Sequence, residues 1–336
     1  MRMFPGFLLS LGLLAAPPET GLHRLKSLPV GGSGGWDYVT LDSAAKRLYV
    51  PRSDRVMVLD LEGKPLGEIK GTEGVHGVAL APGLDRGFTS NGRSNTITIF
   101  KLSTLEVLSQ VKATGEGPDA ILFDPFSQRV FSFNGRGKNA TVLDAATGEV
   151  VGTIPFGHKP EFAATDLRGH VFVNLEDSAE VAVIDAKKLT VDQRWSLAPL
   201  QDPTGMAIDL KHRRLFVVGG NKLMAVVDAD SGKLVATAPI GTNADAAAYD
   251  PSLGLAFSSN GEGTLTVLRQ ENPDRYTALA PVPTQRSART MALDETTHRI
   301  YLPAAAFAPA PAPTPETPRP RPAMVPDSFQ ILVVGR

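Results

Sequence analysis

Seven polar residues recur in one register along this chain: Asp37, His76, Asp119, Glu161, Thr204, Asp245 and Arg289. Each stands five positions before an anchor that closes a short apolar-rich run. The anchors are Asp42, Ala81, Asp124, Asp166, Asp209, Asp250 and Asp294. Four carboxylates brought together would hold a hard cation through oxygen ligands. His76 would bring a transition metal within reach. Arg289 is the one fixed cation of the set and a natural partner for Asp37. Trp36, beside Asp37, offers a face on which a ligand could stack.

The elements that carry these residues are legible in Gly117 to Phe156. Four short apolar runs, Ala120–Phe123, Arg129–Phe133, Ala140–Leu143 and Glu149–Ile154, are separated by Pro, Gly, Asn and Ser. Each run is too short for a typical helix, so a meander of antiparallel strands is expected. The unit repeats. An aromatic follows the anchor by seven residues in Asp42/Tyr49, Ala81/Phe88, Asp124/Phe131, Asp209/Phe216, Asp250/Phe257 and Asp294/Tyr301, and by six in Asp166/Phe172. From Asp42 to Asp294 there are six intervals over 252 residues, a mean of 42. Four strands every 42 residues predict an all-β, seven-bladed β-propeller of antiparallel blades. A four-stranded sheet cannot bury both faces alone, and stacking blade on blade does. The first strand of each blade lines the channel, so residues in one register ring one mouth.

The ends of the chain complete the plan. Gln330–Val334 reads as the third strand of a last blade that has no fourth. The surplus stretch Leu22–Leu28 is expected to supply it and close the ring. Met1–Ala16 has one Arg before an apolar run and small residues after it, the pattern of a signal peptide. Export to the periplasm or medium follows from that reading. The propeller then comprises residues 17–302 and 327–336. Residues 303–326 form an Ala/Pro-rich insertion in the last blade, too poor in bulky apolar side chains to pack and expected as an extended, solvated loop.

Composition excludes several classes. Lys+Arg number 34 and Asp+Glu 35, a formal net charge of −1, which gives no pull toward nucleic acid. Cysteine is absent, so disulfides, thiolate metal sites and cysteine nucleophiles are excluded. No stretch of the mature chain reaches transmembrane length. There is no GxSxG elbow and no HExxH helix. His158, His170, His212 and His298 share no register and read as surface histidines; Trp195 reads as structural.

RLYVPRSDRVMVLD (Arg47–Asp60), RVFSFNGRGKNATVLDAATGEVVGTI (Arg129–Ile154) and LAFSSNGEGTLTVL (Leu255–Leu268) resemble the YVTN-type β-propeller repeat of YncE-like proteins. The resemblance spans about Gly34 to Leu302 and the final strand; the GH…WD pattern of WD40 repeats is missing. It implies the fold far more than an activity. Its hallmark Asn after the aromatic survives as Asn91, Asn134, Asn174 and Asn260, while Arg52, Gly219 and Ala304 depart from it. Asn91, Asn134, Asn174, Asn260 and Arg52 are expected just outside the ring on the same face.

The expected function is therefore a non-enzymatic, exported scaffold, monomeric because ring closure removes exposed strand edges. It binds a small ligand or protein partner at an acidic mouth, and no cofactor is required. The bland alternative is a solvated polar rim of pairs such as Arg289–Asp37. The enzymatic alternative is a lactonase-like, metal-assisted hydrolase holding a divalent cation on mouth carboxylates. Side chains on opposite blades should be too far apart for one ion. Neighbours are better placed: Asp37 with His76, His76 with Asp119, and Arg289 with Asp37.

Overall fold

The computed structural model describes residues 16–314, 317–318 and 320–336. The proposed signal peptide falls on residues outside these, Ala16 excepted.

Among the described residues every regular element except two single 3-10 turns, Pro82–Leu84 and Glu176–Ser178, is a β-strand. The strands form antiparallel sheets in chain order. Four have four strands: Pro118–Asp124 to Val150–Pro155, Pro160–Thr165 to Thr190–Ser196, Pro203–Asp209 to Leu234–Pro239, and a closing sheet. A seven-stranded sheet spans Thr40–Asp42 to Val107–Lys112. It is two units fused through the strand Pro65–Ala81, whose first half pairs with Ser53–Asp60 and whose second half pairs with Arg86–Asn91. The remaining sheet, begun by Ala244–Asp250, has Arg275–Ala278 and the short Val282–Pro283 both pairing with Thr264–Asn272.

The closing sheet is Ala292–Asp294, Arg299–Ala304, Gln330–Gly335 and, from the other end of the chain, His23–Pro29. His23 lies opposite Gly335 and Pro29 opposite Gln330, with one bulge between Arg24 and Lys26. Leu28 is buried among Tyr301, Phe329, Ile331 and Val333. Each innermost strand packs on the innermost strand of the next sheet, and Ala292–Asp294 returns to Thr40–Asp42. This is the arrangement of a β-propeller.

Two repeated residues explain why the sheets stack. The repeat aromatics Tyr49, Phe88, Phe131, Phe172, Phe216, Phe257 and Tyr301 are all buried. They sit in clusters that draw on two successive sheets: Phe88 and Ile97 pack with Val130 and Leu143, for example. The anchor aspartates other than Asp42 are also buried, and the next sheet reaches over to each of four of them. Thr165 Oγ1 donates to Asp124 (2.6 Å), Arg213 to Asp166 (3.1 Å), Gln270 to Asp209 (3.0 Å), and His298 Nδ1 lies 2.7 Å from Asp250. Buried carboxylates must be hydrogen-bonded, so the anchors tie neighbouring sheets together. His170 and His212 meet solvent, with 48% and 30% of their side chains exposed, and also contact anchors, Asp166 and Asp209, so these surface histidines help clamp the fold. The Asp that ends a third strand opens the following turn: Asp60 accepts from Glu62 N and Asp144 from Ala146 N, each at 2.9 Å.

The Ala/Pro insertion departs from the expected loop. Val325 N donates to Ala306 O and Ala308 N to Ala323 O, both at 2.9 Å, with a bridge between Phe307 and Met324. Thr314 and Thr317 exchange two backbone bonds of 3.1 Å further out. All these pairs share one antiparallel register, so the insertion doubles back as a narrow two-stranded arm. Trp36 packs on its base, 6.0 Å from the Phe307 ring and 5.1 Å from Phe329.

Candidate functional site

The innermost strands bring Asp37, His76, Asp119, Glu161, Asp245 and Arg289 into one connected group. His76 Nδ1 is 2.6 Å from Asp37 Oδ2 and 3.5 Å from Asp119 Oδ1. Arg289 Nη2 is 3.2 Å from Asp37 Oδ1, and Nη1 contacts Asp245. The three neighbour pairs expected from the register are thus all present. Thr204 occupies the remaining position, but its hydroxyl donates to Ala244 O at 2.9 Å, so it adds a strand contact and no charge.

Backbone geometry fixes these side chains. Thr290 Oγ1 donates to Asp37 O at 2.8 Å. Ser90 accepts from Gly77 N at 3.0 Å and donates to Asp119 O, which ties the strands carrying His76 and Asp119 together. The His76 ring lies against Gly92, where a Cβ would come within 2.8 Å of Nε2. Only glycine allows that approach, and it leaves Nδ1 as the nitrogen facing the carboxylates.

Three participants have no repeat register to announce them. Lys159 bonds Glu161 Oε1 at 2.9 Å and also contacts Glu176, which lies in a 3-10 turn. Tyr38, one residue after Asp37, faces Phe162 with ring centroids 5.3 Å apart. Phe162 belongs to the strand that carries Glu161, and Tyr38 leads into Thr40–Asp42. Both rings line a cavity of about 400 Å³ together with Leu41, Leu80, Phe123 and Leu293. Alternation along each inner strand was the available signal for Tyr38; nothing in the spacing marked Lys159 or Glu176.

Charge is concentrated here. Asp37, Asp119, Glu161, Glu176 and Asp245 face Arg289, Lys159 and His76. Burial, then the charge of Asp119, pushes Glu161 up to about 8 despite Lys159. Burial raises Asp245 to about 6 against the pull of Arg289. Burial and the Asp37 charge also raise Asp119, although His76 opposes this. For His76 burial disfavours the imidazolium, but the Asp37 hydrogen bond and the Asp119 charge outweigh it and lift the ring above its ordinary value. Burial, reinforced by the surrounding carboxylates, holds the Tyr38 phenol well above 10.0 and therefore neutral.

A pH-dependent stability follows. The folded chain keeps the Glu161 proton from about pH 4.5 to about 8, where the unfolded chain has lost it. Stability is therefore lost as pH rises through that window. Glu161→Gln cannot lose a proton. It is expected to match wild type at pH 4.5 and to exceed it at pH 9 by about 1–3 kcal/mol, at about 1.4 kcal/mol per pKa unit with partial relaxation. Urea unfolding at the two pH values measures this; a variant weaker at both would contradict it.

The other expected site residues lie elsewhere. Asn91, Asn134 and Asn260 are fully buried and donate to threonine hydroxyls of the adjoining third strand, Asn91 to Thr98 at 2.8 Å, Asn134 to Thr141 at 2.9 Å and Asn260 to Thr266 at 2.9 Å. Asn174, also buried, donates to Thr204 O at 2.7 Å. Arg52 is fully buried; it donates to the carbonyls of Gly31, Gly32, Ser33 and Gly34 and lies 3.8 Å over the Phe329 ring. Burial, then the charge of Arg55, lowers it to about 10. Among the described residues none of these side chains, nor that of Trp36, is hydrogen-bonded to a side chain of the charged group.

No protein-family model and no curated protein matches the chain. Among solved structures it is similar to U3-55K, a WD40/propeller-like protein, with a TM-score of 0.75 over 94% of this chain and 99% of that one. Sequence identity is 11%, so the likeness is one of fold. Among the described residues no helix is long and apolar enough to cross a membrane.

Proposed function

We propose that this chain is an exported, seven-bladed propeller of the YVTN, YncE-like kind, a binding protein whose channel mouth takes a cationic ligand. The blade count rests on the seven repeat anchors and on reading the seven-stranded sheet as two fused blades. Export to the periplasm or medium rests on the apolar leader, and a monomeric state on the paired edge of the closing sheet.

One observation carries the reading. Five carboxylates share the mouth with two fixed cations, and at least two of them, Glu161 and Asp245, are pushed up to about 8 and about 6. A bound cation relieves that repulsion, so the site is built to prefer positive ligands. An amine or a metal ion satisfies it, and an anion does not. A lactonase-like hydrolase would need three ring side chains on one ion; Asp37, His76 and Asp119 are near enough together.

Calorimetric titration with spermidine, and with glutarate as the anionic counterpart, tests the preference. Spermidine should bind and glutarate should not. Replacing Asp37 and Asp119 together by Asn should remove at least about ten-fold of the affinity while the melting temperature hardly moves. Equal binding of both probes, or none of either spermidine or a metal ion, would end this reading.

A further inference from the structure

Within the charged mouth, one trio stands apart. Asp37, His76 and Asp119 each offer a ligand atom, and these atoms lie within 4.8 Å of one another. They come from consecutive blades in one register, so the fold itself converges them. We propose that they form a binding site for a divalent transition-metal ion, a reading that rests on the cation-preferring mouth and names its cation.

The donor set sets the class of metal. Two carboxylate oxygens and one imidazole nitrogen suit zinc, manganese, cobalt or iron(II) better than the all-oxygen preference of calcium or magnesium. Bonds of about 2.0–2.2 Å place ligand atoms roughly 3–3.5 Å apart. His76 Nδ1 and Asp119 Oδ1 are already at 3.5 Å. His76 and Asp37 Oδ2, at 2.6 Å, need only open by a side-chain rotation.

Asp119 gives an observation independent of the grouping. About a fifth of its side chain, 21%, meets water, and it accepts no hydrogen bond from any described residue; its ion-pair contact is His76 at 3.5 Å. A carboxylate so placed relies on water for its partners, and a metal ion would replace that water.

The surroundings are those of a ligand set held in place. Arg289 orients the far oxygen of Asp37 at 3.2 Å, as an outer partner orients a ligating carboxylate. Gly92 pins the His76 ring with Nδ1 inward. Tyr38, next in the chain to the ligand Asp37, packs on Phe162 with ring centroids 5.3 Å apart.

The test is a titration of the full-length, EDTA-stripped protein with Co2+ alone, read by visible absorption and by calorimetry. One equivalent should bind, with a ligand-field band that saturates. Asp119→Asn and His76→Gln should each weaken binding at least about ten-fold, because each removes a ligand. Asp54→Asn removes an exposed carboxylate outside the mouth and should change it less than about three-fold. Circular dichroism checks that each variant folds; should Asp119→Asn fail to fold, His76→Gln decides alone. No saturable band, or an equal loss in Asp54→Asn and His76→Gln, overturns the metal site. Spermidine binding without Co2+ binding would reject the trio and leave the cation-preferring mouth standing. Failure of both probes would reject both.

Discussion

Replacing Arg289 by Ala should destabilise the protein by about 2 kcal/mol at pH 8 and by much less at pH 5. Arg289 is the shared counter-ion of Asp245 and Asp37. Removing one partner of a buried pair commonly costs 3–5 kcal/mol; the lower figure here reflects the 40% of the Arg289 side chain that meets water. The pH dependence has a definite sign. Asp245 titrates at about 6 in the folded chain against 3.8 as its ordinary value, so folding already loses stability as pH climbs between them. Without Arg289 the folded carboxyl takes its proton at still higher pH. The variant's stability should therefore keep falling between pH 6 and 8, where the Asp245 contribution in wild type has levelled off. Urea midpoints across that range measure it. A pH-independent loss would mean that Arg289 acts through packing and not through charge.

Deleting residues 17–29 should be more damaging still. The deletion strips the outer strand from Gln330–Gly335 and uncovers a row of backbone groups on that edge. It also removes Leu22 and Leu28, both buried, each worth about 1.5–3 kcal/mol of apolar burial. The loss, about 3–6 kcal/mol before ladder bonds are counted, is a large share of the stability of an ordinary domain. The truncated chain is expected to lose its cooperative melt and to associate through the open edge. Size-exclusion chromatography and thermal unfolding report both. A monodisperse truncated protein melting within a few degrees of wild type would show that the two ends of the chain do not need each other.

The repeat was readable because two of its residues answer to recurring physical demands, the aromatic in all seven units and the anchor carboxylate in all but that of Ala81. The aromatic fills the space between sheets, and the anchor carboxylate gathers its own turn and the next sheet. Those demands fix type and spacing, and hence the register of Asp37, His76, Asp119, Glu161, Asp245 and Arg289. Lys159, Glu176 and Tyr38 answer to a single place in the ring, so no repetition marks them. The asparagines misled for a different reason. A polar residue at a strand end reads as exposed, yet Asn91 and Asn260 are buried, and threonines on the adjoining strand accept their amide hydrogens. Arg52 occupies the same register and does a different task, gathering the carbonyls of Gly31–Gly34. Register told where it stands and could not tell which way its guanidinium turns.

The arm built from the Ala/Pro insertion has a parity. On its outgoing side the inward-bonding positions fall on even numbers, Ala306, Ala308 and Thr314; on its return they fall on odd ones, Thr317, Ala323 and Val325. Pro309, Pro311 and Pro313 going out, and Pro318, Pro320 and Pro322 coming back, take the opposite parity. Proline thus occupies the sites whose N–H would otherwise point sideways into solvent. Among the described residues of that parity only Phe307 and Met324 keep an N–H, so the arm offers few donors to a passing strand.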